Sequence, residues 1–162
     1  MNHWPILQGL VLVLVANGTP VLATRLLGQK LAWPLDCGLR LPDGRPLLGR
    51  SKTIRGVLLS ILVTAAVAPL LGLPSWAGAL ASSLAMVGDL LSSLLKRRLG
   101  LPSSSRALGL DQVPEALLPL LALQATMGLA AIDVLMATLL FWVGGLLLSR
   151  LLFALGIRDR PY

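Results

Sequence analysis

The sequence predicts an all-α integral membrane protein with about five transmembrane helices in a single domain, 1–162. Of its 162 residues, 56% are hydrophobic and 13% are charged, and the mean hydropathy is +0.82. A soluble domain carries about a quarter charged residues. Two stretches, 1–24 and 56–88, contain no Lys, Arg, Asp or Glu. A membrane-spanning helix needs roughly 20 mainly apolar residues, so both stretches are long enough to cross a bilayer.

Five spans account for these two stretches and for two further uncharged ones, 116–132 and 134–149. They run over about 4–24, 56–72, 75–95, 116–131 and 134–151. The stretch 56–88 is too long for one helix and contains "PLLGLPSW" (69–76), which predicts two helices joined by a tight turn near Gly72–Ser75. A second minimal connection is expected near Ile132–Asp133.

The cations are distributed in a pattern that predicts the topology. All 14 Lys and Arg residues fall in the segments 25–55, 96–115 and 150–162. With five spans and the N-terminus outside, these segments lie on one face, which the positive-inside rule makes cytoplasmic. The net charge of +7 suits contact with anionic lipid headgroups. Nucleic acid is not an expected partner, because neither loop interleaves aromatic residues with its cations to form a stacking platform.

The third span contains a carboxylate, Asp89, roughly 20 Å along the helix from Ser75 at 1.5 Å per residue. Ser92, Ser93 and Lys96 follow at i+3, i+4 and i+7, so all four side chains share one face. A carboxylate facing lipid would cost several kcal/mol, so Asp89 is expected to face the bundle interior or a wet cavity. Two interpretations follow: a structural Asp–Lys pair, or a functional site.

The first span has a polar interruption, "ANGTP" (16–20), at a similar depth. Asn17 and Thr19 are polar, Gly18 permits unusual backbone geometry, and Pro20 lacks a backbone donor. Non-helical backbone within a membrane is tolerated where it lines a cavity. The alternative is a proline kink with Asn17 bonded to a neighbouring helix.

The first loop, Pro34–Gly56, is rich in Pro and Gly and contains the turn sequence "PDG" (42–44). Lys52 and Arg55 lie about one turn apart where the second span begins. Cations oppose the dipole at a helix start unless an anion is bound, so this arrangement predicts a phosphate site. The alternative is a solvated, positively charged loop.

The second loop places acids just before the fourth span. Acidic side chains suit a helix start, which is the expected role of Glu115, whereas for Asp111 this role competes with metal binding. Asp89 and Asp111 near several cations fit Mg²⁺ held together with substrate phosphates. The residues therefore predict an inner-leaflet polar cavity, formed by two cytoplasmic loops, for a phosphorylated lipid and a soluble phosphorylated partner.

Five motifs, in order along the whole chain, resemble the CDP-archaeol synthase family of CTP-dependent cytidylyltransferases. They are "ANGTPVL" (16–22), "PLDCG" (34–38), "DGRPLLGRSKTIRG" (43–56), "GDLLSSLLKRRLG" (88–100) and "LDQVPE" (110–115). The last two also resemble the signature of the larger CDP-diacylglycerol synthases. The segment Ser103–Arg106 is assigned no role.

The resemblance implies a reaction in phospholipid biosynthesis. CTP and a lipid phosphate, either an archaetidic acid-like ether lipid or phosphatidic acid, give a CDP-lipid and pyrophosphate, with Mg²⁺ as cofactor. No protein nucleophile is required, so Cys37 and His3 are not catalytic candidates. The implied metal ligands are Asp89 and Asp111. The implied phosphate-binding cations are Lys96 and Arg97 for either substrate, and Lys52 and Arg55 for the nucleotide triphosphate or departing pyrophosphate. The residues implied to bind the nucleotide or shape its pocket are Asn17, Asp36 and Asp43.

Two alternatives belong to other classes. A CDP-alcohol phosphotransferase carries a run of aspartates after its "DG..AR" element, and these are absent after Asp43–Gly44. A small non-catalytic transporter or lipid-binding scaffold is also open, although the internal repeat found in many transporters is not evident here. The sequence leaves open whether the protein is a monomer or a homo-oligomer.

Overall fold

The computed structural model describes residues 3–102 and 109–154, apart from the side chains of 152 and 153. Ser103–Arg106 therefore lie outside the described residues. The described helices are α1 (His3–Leu27), α2 (Ile54–Val67), α3 (Ser75–Arg98), α4 (Gln112–Ala122), α5 (Gln124–Met127) and α6 (Ala131–Ala154). The expectation of an all-α membrane protein is confirmed.

Four helices in the described part of the chain are long and apolar enough to cross a membrane. They are His3–Leu27, Ile54–Leu71, Ser75–Arg98 and Ala131–Leu151, the second of which includes a 3₁₀ turn after α2. The predicted span 116–131 is instead divided at Leu123 between α4, of 11 residues, and α5, of 4 residues. Since α4 alone is shorter than a bilayer requires, the predicted count of five full-length spans is not confirmed.

Small residues bring α1, α2 and α3 close together. Ala77, Ala81 and Ala85 on α3 are at most 1% exposed. A Cβ added at Gly78 would collide with the backbone carbonyl of Thr64 on α2. The predicted turn between α2 and α3 is present, and Gly72 adopts a left-handed φ of 78° there. Close approach of this kind is the usual basis of helix association in lipid, where no hydrophobic force draws helices together.

Of the two interpretations of the first span, the broken backbone at Pro20 was wrong, because α1 continues through the proline to Leu27. Proline has no N–H, so the carbonyl of Ala16, four residues earlier, lacks its helical donor. The Ser60 hydroxyl of α2 donates to this carbonyl at 2.6 Å, and Ser60 is itself 2.7 Å from the Ser82 hydroxyl of α3. A buried hydrogen-bonded chain across three helices thus satisfies the group that proline leaves unpaired.

The connection expected near Ile132–Asp133 lies slightly earlier in the chain. Gly128 takes a left-handed φ of 66° after α5, and α6 begins at Ala131. Asp133 is in the first turn of α6, where its Oδ2 accepts a hydrogen bond from the backbone N–H of Ala130 at 3.0 Å. Asp133 therefore stabilises a helix start, a frequent position for a carboxylate, instead of occupying the turn.

Candidate active site

The first loop is organised around the carboxylate of Asp36. Its Oδ2 accepts hydrogen bonds from the backbone N–H groups of Leu48 (2.9 Å) and Gly49 (3.1 Å), and its Oδ1 accepts one from Gly38 (3.0 Å). Partial desolvation acts to raise the pKa of Asp36, but these backbone hydrogen bonds outweigh it and lower the pKa below 3.8. These contacts show that Asp36 orders the first loop, while its expected part in a nucleotide pocket stays a prediction.

The predicted "PDG" turn is present and joins the first loop to the end of α3. Asp43 Oδ1 accepts from the backbone N–H of Arg45 at 3.0 Å, and Oδ2 lies 2.5 Å from Nη1 of Arg98. The backbone hydrogen bond and then Arg98 hold the pKa of Asp43 below its ordinary value. Arg98 also donates to the Pro46 carbonyl at 2.9 Å. These contacts place the start of the second cationic segment beside the first loop.

The C-terminus of α3 contributes a further link to this loop. Arg45 Nη1 donates to the Arg98 carbonyl at 2.5 Å. Carbonyl groups in the last turn of a helix have no partner within the helix, so the guanidinium satisfies one of them. Gly100, which follows α3, has a left-handed φ of 75° that favours glycine. The structure therefore uses Arg45 to hold the two loops together, a role that the sequence did not indicate.

The central ion pair joins the first loop to α3. Lys52 Nζ lies 2.6 Å from both carboxylate oxygens of Asp89, and the two side chains are 19% and 22% exposed. Sequence spacing had suggested Lys96, on the same face of α3, as the partner of Asp89. Asp89 is paired instead with a lysine 37 positions earlier in the chain.

A second ion pair joins α3 to the N-terminus of α4. Lys96 Nζ lies 2.8 Å from Oδ1 of Asp111, and both side chains are largely buried. One turn after Asp89, the Ser92 hydroxyl is within hydrogen-bonding distance of the Leu110 carbonyl at 2.7 Å. This contact holds the segment before Asp111 against α3. Asp89 and Asp111, 22 positions apart in sequence, are thus held on facing elements of one site.

Glu115 is a site residue whose role the sequence did not indicate. It lies in the first turn of α4, as expected of a helix-start acid, but its carboxyl group is also close enough to Asp89, Lys52 and Asp111 to interact electrostatically with all three. Gly88 makes this possible, since a Cβ there would lie 2.5 Å from the carbonyl group of Pro114. The sequence signal was the glycine directly before Asp89, which permits another backbone to approach.

The remaining predicted residues have partners within the protein. Arg55 is 7% exposed and donates to the carbonyls of Lys30 and, at 3.1 Å, Gly28, which close the first loop after α1. Arg97 is 4% exposed, and its Nη2 donates to the Pro102 carbonyl at 2.8 Å.

The Asn17 amide donates to the Val13 carbonyl of its own helix at 3.0 Å, and not to the neighbouring helix that one interpretation named. Thr19 likewise donates within α1, to the Val15 carbonyl at 2.7 Å. Nucleotide binding by Asn17 stays a prediction, as does phosphate binding by the cations of the site.

The donor set is compatible with magnesium. Among the described residues, no group of three or more His, Cys, Asp and Glu side chains is arranged to hold a metal ion. Mg²⁺ in phosphoryl-transfer sites usually takes one or two carboxylates and completes its shell with water and substrate phosphates. Asp89 and Asp111 are carboxylates of this kind, and each lies beside a lysine suited to a phosphate oxygen.

Comparisons with known proteins identify the family of the chain. The family model "CarS-like: CDP-archaeol synthase" matches residues 75–162. The CDP-archaeol synthase of Hyperthermus butylicus is 41% identical over 118 residues, which cover 69% of this chain and 67% of that protein. The CDP-archaeol synthase of Saccharolobus solfataricus is 32% identical over 146 residues, covering 87% of this chain and 78% of that protein.

A solved structure of an intramembrane enzyme for archaeal membrane lipid biosynthesis superposes with a TM-score of 0.75 at 30% identity. The match covers 88% of this chain and 90% of that one. The family resemblance of the sequence motifs is thereby confirmed. The chain belongs to the CDP-archaeol synthase family.

Proposed function

We propose that this protein is a membrane cytidylyltransferase that joins CTP to an archaetidic acid-like lipid phosphate, giving a CDP-lipid and pyrophosphate. Family membership supports the reaction class. The observation that carries the proposal is the pair of facing carboxylate–lysine contacts, Lys52 with Asp89 and Lys96 with Asp111. This arrangement offers acids for a divalent cation and cations for phosphates within one membrane-embedded site.

The reaction forms a bond between a lipid phosphate oxygen and the α-phosphorus of CTP. The bond between the α-phosphorus and the bridging oxygen to the β-phosphate breaks, and pyrophosphate leaves with that electron pair. Both reactants are anionic, so the principal task of the site is to offset their repulsion and align the reacting atoms. When bound, Mg²⁺ supplies positive charge to the phosphate oxygens; Asp89 and Asp111 would hold it.

The chain's own side chains position the two substrates. In this proposal Lys52, on the first loop, binds the triphosphate or the leaving pyrophosphate, and Lys96 and Arg97, on α3, bind phosphates of either substrate. Asp36 and Asp43 act through the loop that they order. A general base is not required, because the attacking lipid phosphate oxygen is already ionised at neutral pH.

We assign the site to the cytoplasmic face, with the N-terminus outside. Support comes from the cationic segments, whose facing ends are linked by the Asp43–Arg98 ion pair, together with the positive-inside rule. This orientation gives the loops direct access to soluble CTP, while the lipid phosphate approaches from the inner leaflet.

The experiment that tests the function measures transfer of label from α-phosphate-labelled CTP into the organic phase. Purified protein in detergent with Mg²⁺ receives an ether-linked archaeal-type lipid phosphate or a diacyl phosphatidic acid. Label is expected to enter the ether lipid preferentially. Asp89→Asn, which keeps the size of the side chain but removes the charge, should abolish transfer while the protein stays folded and inserted.

Each outcome separates two interpretations. Preferential labelling of phosphatidic acid would replace the proposed acceptor with a diacyl lipid. Near-wild-type transfer by Asp89→Asn would remove Asp89 from the metal site. If CTP neither binds nor transfers label to either lipid, the cytidylyltransferase proposal is wrong and a non-catalytic transporter or scaffold takes its place.

A further inference from the structure

Asp89, one of the two proposed metal ligands, forms an ion pair with a lysine of the same chain at the place where a metal ion is expected. Lys52 Nζ contacts Oδ1 and Oδ2 of Asp89 at the same distance, 2.6 Å. It therefore lies along the bisector of the carboxylate, where a bidentate cation would sit. A metal ion can bind the carboxylate in this bidentate position only if the ammonium group moves.

The backbone that carries Lys52 is fixed, so only its side chain is free to move. The Lys52 carbonyl accepts from the backbone N–H of Leu35 at 2.8 Å, and its own N–H donates to the Gly49 carbonyl at 3.2 Å. Asp36 in turn binds the N–H of Gly49. A lysine has a flexible four-carbon stem and three rotatable donors. Rotation of this stem therefore moves the ammonium group away from Asp89 without a loop movement.

From this geometry we infer that Lys52 is a displaceable internal cation that blocks metal binding at Asp89 until a nucleotide phosphate offers the lysine a new partner. The inference rests on the proposed function, since it takes Asp89 as a metal ligand and a triphosphate as the incoming group. A divalent ion arriving alone must displace the ammonium group into an unpaired state. A metal ion arriving with a triphosphate exchanges partners: the carboxylate takes the metal and the lysine takes a phosphate oxygen.

The exchange makes metal and nucleotide binding cooperative. Linkage requires that if nucleotide raises the affinity for the metal by some factor, the metal raises the affinity for nucleotide by the same factor. It also explains how a carboxylate and a lysine remain in a partly buried membrane site without substrate, since each neutralises the other. The contact of Lys52 with Asp89 thus suppresses metal binding. When nucleotide binds, Lys52 exchanges this contact for one with a phosphate oxygen.

Mn²⁺ binding to nucleotide-free protein tests the inference without any turnover. Free Mn²⁺ is counted by electron paramagnetic resonance as the metal is titrated into purified protein in detergent. Lys52→Met removes the competing cation and keeps most of the apolar stem. It should bind Mn²⁺ about tenfold or more tightly than the wild type, within the usual range of coupling between sites. Lys52→Arg keeps the cation and should stay close to the wild type.

Two matched controls locate the effect. Lys30→Met removes one positive charge from the same loop at an exposed position and should leave Mn²⁺ affinity unchanged. The double variant Lys52→Met/Asp89→Asn removes both members of the pair, one positive and one negative charge, and should lose the gain in affinity. Size-exclusion profiles and thermal unfolding establish that each variant is folded.

The inference is overturned if Lys52→Met binds Mn²⁺ no more tightly than the wild type. It is also overturned if the gain persists in the double variant, because the tighter site would then not involve Asp89. These results are independent of the labelled-CTP assay. Failure of the wild type to transfer label overturns the proposed function, whereas equal Mn²⁺ affinities overturn only the role of Lys52.

Discussion

Gly88 provides a sharp test of how α3 and α4 build the site. A Cβ at this position would lie 2.5 Å from both the carbonyl carbon and oxygen of Pro114, and 2.7 Å from the backbone nitrogen of Glu115. Carbon atoms in favourable contact are about 3.5–4.0 Å apart, so Gly88→Ala requires a separation of roughly 1 Å between the two backbones. No side-chain rotation relieves the clash, because every close atom belongs to the backbone.

The displacement should affect stability and activity separately. Overpacking of this kind costs about 1–3 kcal/mol. Since α4 carries Glu115 and begins next to Asp111, the shift also moves both carboxyl groups relative to Asp89. A misplacement of about 1 Å in a catalytic arrangement lowers the rate by roughly 100-fold. The expected result is a lower unfolding temperature together with a reduced kcat, measured at a temperature where the variant is folded.

Gly144→Ala is the matched control. Gly144 lies on α6 with nothing within 4 Å of an added Cβ, so alanine should stabilise the helix by up to about 1 kcal/mol and leave kcat unchanged. Thermal unfolding in detergent and the labelled-CTP assay compare the two variants. The reasoning about close packing fails if Gly88→Ala has the stability and turnover of Gly144→Ala.

Three further variants test contacts of the fold and the first loop. Ser60→Ala leaves the Ala16 carbonyl without its donor and should cost about 1–2 kcal/mol of stability. Adding Pro20→Ala restores a backbone N–H, so the double variant should recover part of that loss in thermal unfolding. If the losses from the two substitutions add instead, the proline explanation is wrong. Asp36→Asn should lower the free energy of unfolding at neutral pH. Because the pKa of Asp36 in the folded protein is lowered below 3.8, the stability difference between variant and wild type is full above the unfolded pKa and disappears as the pH falls through the folded pKa. A stability difference that does not depend on pH would refute this account. Arg98→Leu should change global stability by less than about 1 kcal/mol, because the ion pair of Arg98 with Asp43 is partly exposed. It should nevertheless raise protease cleavage within residues 40–50 several-fold. Unchanged cleavage would show that this ion pair does not order the first loop.

The sequence predicted the local turns of the chain. The "PDG" turn, the glycine turn between α2 and α3, and the family motifs are local features, and the structure contains the two turns where they were expected. The sequence was less informative where two elements meet. Asp36 was expected to bind nucleotide or shape the pocket, and only the fold shows its oxygens bonded to Gly49 and two other backbone N–H groups.

The sequence by itself determined the membrane class, the positions of the four long helices to within a few residues, the clustering of cations and the family, because hydropathy, charge and motif order are read along the chain. Only the tertiary structure decided which charges meet. Helical spacing favoured a pair between Asp89 and Lys96, but Lys52 takes that carboxylate and Lys96 takes Asp111. Partner choice depends on which helix faces approach one another, and that is decided by contacts between distant segments, such as α4 against Gly88. No periodicity within a single helix encodes those contacts.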